Sequence, residues 1–390
     1  MKILYINTLF TPNIVGGAEK IVFNLAQGME KRGHSVTVIT TSPPGDKISV
    51  EEVEGIKVYY VPLENFYWPF DEAPKSSAQK FLWHLRDAWN QKMSSTVKTI
   101  IRHEKPDVVH IHNLAGFSGT VLKDISTNFP TILTLHDYYF KCFRSTMFKN
   151  GKNCNGQCWD CKILSLPRKV VSKRVRLVVG VSNFVLNRVA SDEYFRDVEK
   201  DVIHNSIREA EISRNTGREI VSIGYIGKIT EEKGFSSIVE TLKALNRSDW
   251  RFVFAGRGDE KTISTSLIKL GDNAKYLGFV EASEFYKNVD LIIVPSLWND
   301  PYPTVILEAF ARGIPVIGRD RGGIAEIISL VSQELVFGSN EELSSIVKRF
   351  LDMQRSEYVA LSQKSYAIAR SYTFEDFIKK YEAKYVSVGK

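Results

Sequence analysis

The chain has 390 residues, 43% of them hydrophobic and 25% charged, with a net charge of +7; that length exceeds one ordinary hydrophobic core and predicts two domains. The balanced composition, free of low-complexity tracts and repeats, excludes a disordered chain and a solenoid. No run of 18 apolar residues occurs, and residues 1–7 turn polar too soon for a signal peptide, so the expected location is the cytoplasm, without a membrane span.

Residues 2–9 read as a short buried strand and 11–17 as the loop after it. Ile21, Val22, Leu25, Ala26 and Met29 recur at helical spacing, Gly33 stops that helix, and alternation over 35–39 marks the next strand. Strand signals at 58–61, 108–112, 131–135 and 177–181, with helical segments between several of them, predict a doubly wound α/β domain over 1–205. Within it Trp83, His84, Asp87 and Asn90 share one helical face, either acceptor surface or plain helix packing. A polar stretch at 205–218 precedes a second series. Strands at 220–226, 251–255, 274–277, 291–294 and 315–317 alternate with helices beginning near Phe235, Lys261, Ala282 and Thr304. The second domain therefore spans 206–371, and residues 372–390 form an amphipathic, aromatic tail.

Between Lys141 and Arg176 ten Lys or Arg residues face one acid, Asp160, and all four cysteines fall in the same insertion. Cys142, Cys154, Cys158 and Cys161 have the makings of a tetrahedral structural zinc site, against four reduced or redox-sensitive thiols. The +9 charge of 141–176 suits an anionic membrane surface or a lipid-linked acceptor, or is a solvated face. No nucleic-acid motif accompanies it, so no nucleic-acid partner is expected.

The most specific chemistry lies at 300–326. Asp300 and Glu308 bracket the start of a helix expected over 304–312, whose first turn, at Pro303, Thr304 and Val305 after Tyr302, faces a diphosphate with free amides and the positive end of the dipole. Glu308 then reaches ribose hydroxyls and Asp300 those of a sugar. Lys228 and Lys233, after Gly227 and before Gly234, flank one turn and are placed to neutralise the same diphosphate. Gly256 follows another strand of this domain. In the first domain Gly16 and Gly17 lie in the loop after the first strand, and His112 and the pair His136-Asp137 lie just beyond strands.

The stretch from Asp300 through Tyr302 and Pro303 to Glu308 resembles the E-x-F-G-x-x-x-x-E signature of the retaining glycosyltransferases of family GT4, with Asp300 in place of the first glutamate and proline in place of glycine. Lys228 stands where that family usually has arginine, and Lys233 where it has lysine. The run Gly16-Gly17-Ala18-Glu19 resembles the acceptor-domain loop, and Leu277-Gly278-Phe279-Val280 the stretch whose backbone reads the base. The resemblance implies a GT-B fold: α/β, two Rossmann-like doubly wound domains facing a central cleft, with a terminal helix returning to the first. It implies a retaining transfer of a hexose or N-acetylhexosamine from a nucleotide-diphosphate sugar, UDP-sugar favoured over GDP-sugar, to a lipid-linked glycan or polysaccharide acceptor, on the inner face of the cytoplasmic membrane. Lys228, Lys233 and the helix amides would carry the leaving diphosphate with no catalytic metal, and His112, in preference to His136, would touch the donor sugar. The alternatives are a nucleotide-sugar epimerase of the same fold and a non-catalytic nucleotide-sugar-binding subunit.

Overall fold

The central strands of both sheets are short, apolar and buried, as parallel strands covered by helices must be. The computed structural model describes all residues except 15, 72, 209–219 and 390, so most of the polar stretch expected at 205–218 lies outside the described residues. In chain order the strands are β1 (Lys2–Ile6), β2 (Ser35–Ser42), β3 (Ser49–Val53), β4 (Ile56–Pro62), β5 (Val108–Ile111), β6 (Thr131–Leu135), β7 (Phe148–Lys149), β8 (Lys152–Asn153), β9 (Leu177–Gly180) and β10 (Glu199–Val202). They continue with β11 (Val221–Ile226), β12 (Trp250–Ala255), β13 (Ala274–Tyr276), β14 (Leu291–Val294), β15 (Val316–Arg319) and β16 (Val336–Phe337).

Two compact units result, one of residues 1–147, 154–205 and 375–390, the other of 148–153 and 206–374. In the first, the order is β10-β9-β6-β5-β1-β2-β4-β3, parallel except for the antiparallel edge strand β3. The order reverses between β1 and β5, so β1 and the first loop residue after β5, His112, meet at a switch point. The second unit has the order β13-β12-β11-β14-β15-β16, all parallel, with its switch point between β11 and β14. Both units are thus doubly wound α/β sheets. The edge strands β3, β10 and β16 escape a reading by apolar pattern because they are short or largely exposed.

The helix Phe374–Gly389 packs on the first unit's sheet. Tyr385 Oη lies 2.7 Å from His110 Nδ1 and 3.1 Å from Tyr5 Oη, Tyr381 Oη lies 3.1 Å from Thr134 Oγ1, and Lys384 pairs with Asp201 at 2.6 Å. The helix Ser77–Ala88 shows what its shared face does. Asp87 is fully buried and takes the Gly116 N–H at 2.7 Å, the Tyr139 hydroxyl at 2.9 Å and Arg168 Nη2 at 2.8 Å, while Asn90 caps the next helix at the Met93 N–H. That face is packing, not acceptor surface. Arg168 is equally buried, and Lys141 is buried against Asp192 at 2.8 Å, so two of the insertion's ten cations are internal and do not belong to a solvated face.

Residues 148–153 form a two-strand hairpin that leaves the basic insertion and counts with the second unit, a correction to its assignment to the first domain. Its turn residues Asn150 and Gly151 have φ of +53° and +70°, the left-handed pair that an Asn-Gly turn supplies with little strain.

Candidate functional site

The second unit's chemistry gathers at the carboxyl ends of β11 and β14. After β11 the chain turns through Lys228 to Lys233 and enters the helix Phe235–Lys243 at Gly234, whose φ is +71°; a Cβ there would lie 2.1 Å from the Pro295 carbonyl oxygen. Only glycine lets the loop after β11 close on the loop after β14 in this way. The Leu297 and Trp298 N–H groups complete the contact by donating to Glu232 O at 2.9 and 3.2 Å.

This closure brings two sequence-predicted residues together. Lys233 Nζ is 2.6 Å from Asp300 Oδ2 and 4.9 Å from the centre of the Trp298 ring. The lysine side chain is 28% exposed and the aspartate 9%, so the pair is half withdrawn from water without being sealed. An ammonium has three N–H donors and Asp300 takes one. Asp300 is held in turn by its own carbonyl, which accepts the Gly323 N–H at 2.8 Å, so the turn at 321–323 supports it. Lys228 is exposed, and among the described residues no carboxylate pairs with it.

The helix after Asp300 runs Thr304–Phe310, two residues shorter than expected, because the Arg312 and Gly313 N–H groups close its end on Ala309 O and Phe310 O. Pro303 is its N-cap and no side chain caps it. Proline has no N–H, so the amides available for an anion are those of Thr304 and Val305, and Pro303 is not a donor. Tyr302 is buried in the core, which raises its phenol pKa, so its ring does not line an open site. Glu308 is half-buried one turn into the helix, its Oε2 accepting the Tyr286 hydroxyl at 3.2 Å. A carboxylate has about four lone-pair sites, so acceptor capacity remains for a ligand hydroxyl. Gly256 follows β12 with its N–H on Gly278 O at 2.8 Å, and Phe279 stands out in solvent with the Arg257 guanidinium 4.9 Å from its ring centre.

In the first unit, Gly16 precedes the helix Gly17–Lys31 and donates its N–H to Glu19 Oε2 at 2.7 Å, so the glycine pair is the helix start itself. His112 is buried, with Nδ1 3.0 Å from His136 Nε2, while its own Nε2 is buried without a hydrogen-bond partner among the described residues. Burial drives His112 well below the usual imidazole range and pushes His136 down to about 4, so both are neutral at pH 7 and one ring N–H serves the contact between them.

The four cysteines do not form one cluster. Cys161 Sγ lies 3.8 Å from Cys142 Sγ, and the group whose ligand atoms are close enough to share an ion among the described residues is Cys158, Asp160 and Cys161. Cys142 and Cys154 lie outside that group; Cys154 sits at the hairpin root, its N–H on Met147 O at 2.8 Å and its carbonyl accepting from the Arg188 guanidinium. The Cys161 thiol donates to Cys142, which lowers the Cys142 pKa to about 6 and raises that of Cys161.

Three residues that pattern reading passed over belong to the second unit's site. Trp298 lies under the Lys233 ammonium. Arg319, buried at the end of β15, donates Nε to Pro295 O at 3.2 Å and fixes the loop after β14. Asn153, last residue of the hairpin, grips the same loop on both sides: its Nδ2 donates to Leu297 O at 2.7 Å and its Oδ1 accepts the Asn299 N–H at 2.8 Å. A Cβ on Gly151 would lie 3.4 Å from Glu231 Oε1, so the hairpin turn also borders the loop after β11. The Asn-Gly dipeptide was the available signal for this hairpin.

Comparison with known proteins agrees with this geometry. The profile of glycosyl transferases group 1 matches residues 207–368, and that of glycosyltransferase family 4 matches residues 15–211. The chain is similar to an uncharacterized 42.6 kDa protein in the cps region of Klebsiella pneumoniae, 32% identical with 89% of this chain and 92% of that one covered. It is also similar to alpha-monoglucosyldiacylglycerol synthase of Acholeplasma laidlawii, 24% identical over 100% and 97% of the two chains. The fold matches that of an alpha,alpha-trehalose-phosphate synthase (UDP-forming) from Burkholderia xenovorans with a TM-score of 0.71, at 11% identity, over 99% and 100% of the chains.

Proposed function

Because the chain belongs to glycosyltransferase family 4, with the GT-B fold and the nucleotide-sugar donors of that family, we propose that it catalyses a retaining transfer of a hexose or N-acetylhexosamine from a UDP-sugar to a lipid-linked or polysaccharide acceptor. Glycan biosynthesis as the setting follows from its relatives. The reading of the residues is carried by one observation: the half-buried Lys233–Asp300 pair at a strand-order switch point, in the loop that leads into the helix of Glu308.

In this reading Lys233 and Lys228 meet the diphosphate with the Thr304 and Val305 amides, Glu308 accepts the ribose hydroxyls, and Asp300 orients the sugar. The bond from the anomeric carbon to the β-phosphate oxygen breaks, and its electron pair stays on that oxygen, where fixed cations stabilise it. The acceptor hydroxyl attacks from the same face and its proton passes to the departing phosphate. His112, neutral, donates or accepts one hydrogen bond at the sugar through Nε2. The cations supply the charge that a divalent ion would otherwise bring, so turnover is expected to persist in strong chelator. The relative whose name specifies a UDP-forming reaction supports UDP over GDP.

A donor screen that measures nucleotide release from UDP- and GDP-sugars, followed by NMR of the anomeric proton of the product, tests the proposal. UDP release with the donor's anomeric configuration kept in the product is expected. Release of a free epimerised sugar would establish an epimerase instead, and tight nucleotide binding without turnover on any donor would establish a binding subunit.

A further inference from the structure

The first unit carries two apolar stripes that face solvent. Along the helix Ser77–Ala88 and just beyond it, Phe81, Leu82, Leu85 and Trp89 recur at helical spacing on the side opposite Trp83 and Asp87, which are buried. Along the helices Trp159–Leu164 and Leu166–Ser172, Trp159, Ile163, Leu166 and Val170 repeat the pattern. Each of these eight side chains is at least 47% exposed. A helix of an ordinary soluble domain presents one such stripe inward; these present a second one outward.

The two stripes are neighbours. The helix Ser77–Ala88 packs against Trp159–Leu164, the His84 ring meets the Phe143 ring at 4.7 Å, and Arg144 spans from that ring to Asp160 at 3.3 Å. Their surroundings are basic: with the internal pair Arg168–Asp87 set aside, residues 76–92 and 159–176 contain eight Lys and Arg against one acid, Asp160. Among the described residues Lys80, Arg86, Lys162 and Arg174 are exposed and pair with no carboxylate.

We infer that this double stripe is the surface by which the protein seats on an anionic bilayer, the apolar side chains entering the headgroup boundary and the cations meeting lipid phosphates. Trp89 and Trp159 suit that depth, since indole rings prefer the membrane interface. A second copy of the chain is the poorer occupant, because a two-fold interface sets the same patch against itself and would face these cations with their own images. No helix among the described residues is long and apolar enough to cross a membrane, so the attachment is to one surface. The inference sharpens the acceptor reading above by naming the face turned to a lipid-borne acceptor, and it goes beyond a purely electrostatic attachment of the insertion.

The test is flotation of the full chain with vesicles of phosphatidylcholine alone and of phosphatidylcholine mixed with phosphatidylglycerol, at two salt concentrations. Binding to the anionic vesicles only is expected. The pairs Phe81→Ser with Leu85→Ser, and Trp159→Ser with Ile163→Ser, change exposed positions and leave all charges in place, yet each is expected to lower partitioning at least ten-fold, with unchanged circular dichroism. Lys162→Glu with Arg174→Glu is expected to lower it and to flatten its salt dependence. Unchanged partitioning of both serine pairs overturns the inference, as does a wild-type dimer in sedimentation velocity that the serine pairs dissociate. Vesicle binding is read without donor or acceptor, so a failed donor screen leaves it standing, and lost binding with intact transfer to a soluble acceptor refutes this surface alone.

Discussion

Arg168–Asp87 in the first unit and Lys233–Asp300 in the second are both short cation–carboxylate pairs, and the two are used differently. Arg168 and Asp87 meet at 2.8 Å with both side chains fully buried, and the carboxylate is further tied to a backbone N–H and a tyrosine hydroxyl. Lys233 and Asp300 meet at 2.6 Å beside strand ends, with the lysine partly exposed. A sealed pair holds helices in place; a half-open one has donors to spare for a ligand. Access to water, more than the distance between charges, separates architecture from site.

The largest effect is expected at the sealed pair. Arg168→Met strands Asp87 without its charge partner and should cost about 3–5 kcal/mol of stability in denaturant titration, with nucleotide-diphosphate affinity of the folded fraction unchanged. Lys233→Ala should do the reverse: calorimetry should find nucleotide-diphosphate affinity weaker by about 1.5–3 kcal/mol and the melting profile little moved. If Lys233→Ala unfolds the chain and leaves affinity intact, the contrast between the pairs collapses.

A pH scan sharpens the comparison between whole units. All seven histidines lie in the first unit and none in the second. Burial pushes His84 and His136 down to about 4. The folded unit therefore keeps them neutral while an unfolded chain takes up protons below about 6.5. The stability they support is fully present above 6.5 and falls as pH drops towards 4, by up to about 1.4 kcal/mol per pH unit per histidine. Amide exchange followed from pH 7 to 4 should show protection falling in the first unit ahead of the second; equal loss in both would erase this difference.

The smallest effect concerns the hairpin. Asn153→Ala removes both bonds to the loop before Asp300 and should lower kcat/KM about ten-fold, or ~1.4 kcal/mol, mainly through the donor KM. Asn153→Asp keeps the bond from the Asn299 N–H, loses that to Leu297 O, and should fall between. An alanine variant with wild-type donor KM would show that the hairpin only decorates the loop.

Periodicity made much of this legible. The strands at 131–135 and 291–294 carry the expected bounds, and helices start at Phe235, Ala282 and Thr304, because buried apolar runs and amphipathic helices write their own pattern. Asp300, Lys233 and Glu308 were singled out by residue type, spacing and the GT4 resemblance, and the structure adds that the first two touch. Asn153 was not, since it lies 147 residues before Asp300 in the chain and a two-residue strand has no period to read. The mistaken reading of Arg168 as surface charge has a similar cause: its partner Asp87 is 81 positions away. Of the four cysteines, Cys158 and Cys161 share a close group with Asp160, an acid that the cysteine spacing alone does not point to.

The excursion of residues 148–153 into the second unit also limits how this chain can be recombined. A chimera joined near residue 205, the natural seam between the halves of two relatives, would take its hairpin from one parent and the loop at 297–299 from the other. Unless position 153 of the first parent presents an amide that both donates and accepts, two backbone groups beside Asp300 would lose their partners. Exchange of second units therefore has to move six residues of the first half along with them, and sequence drift at 153 is tied to the shape of a loop far downstream.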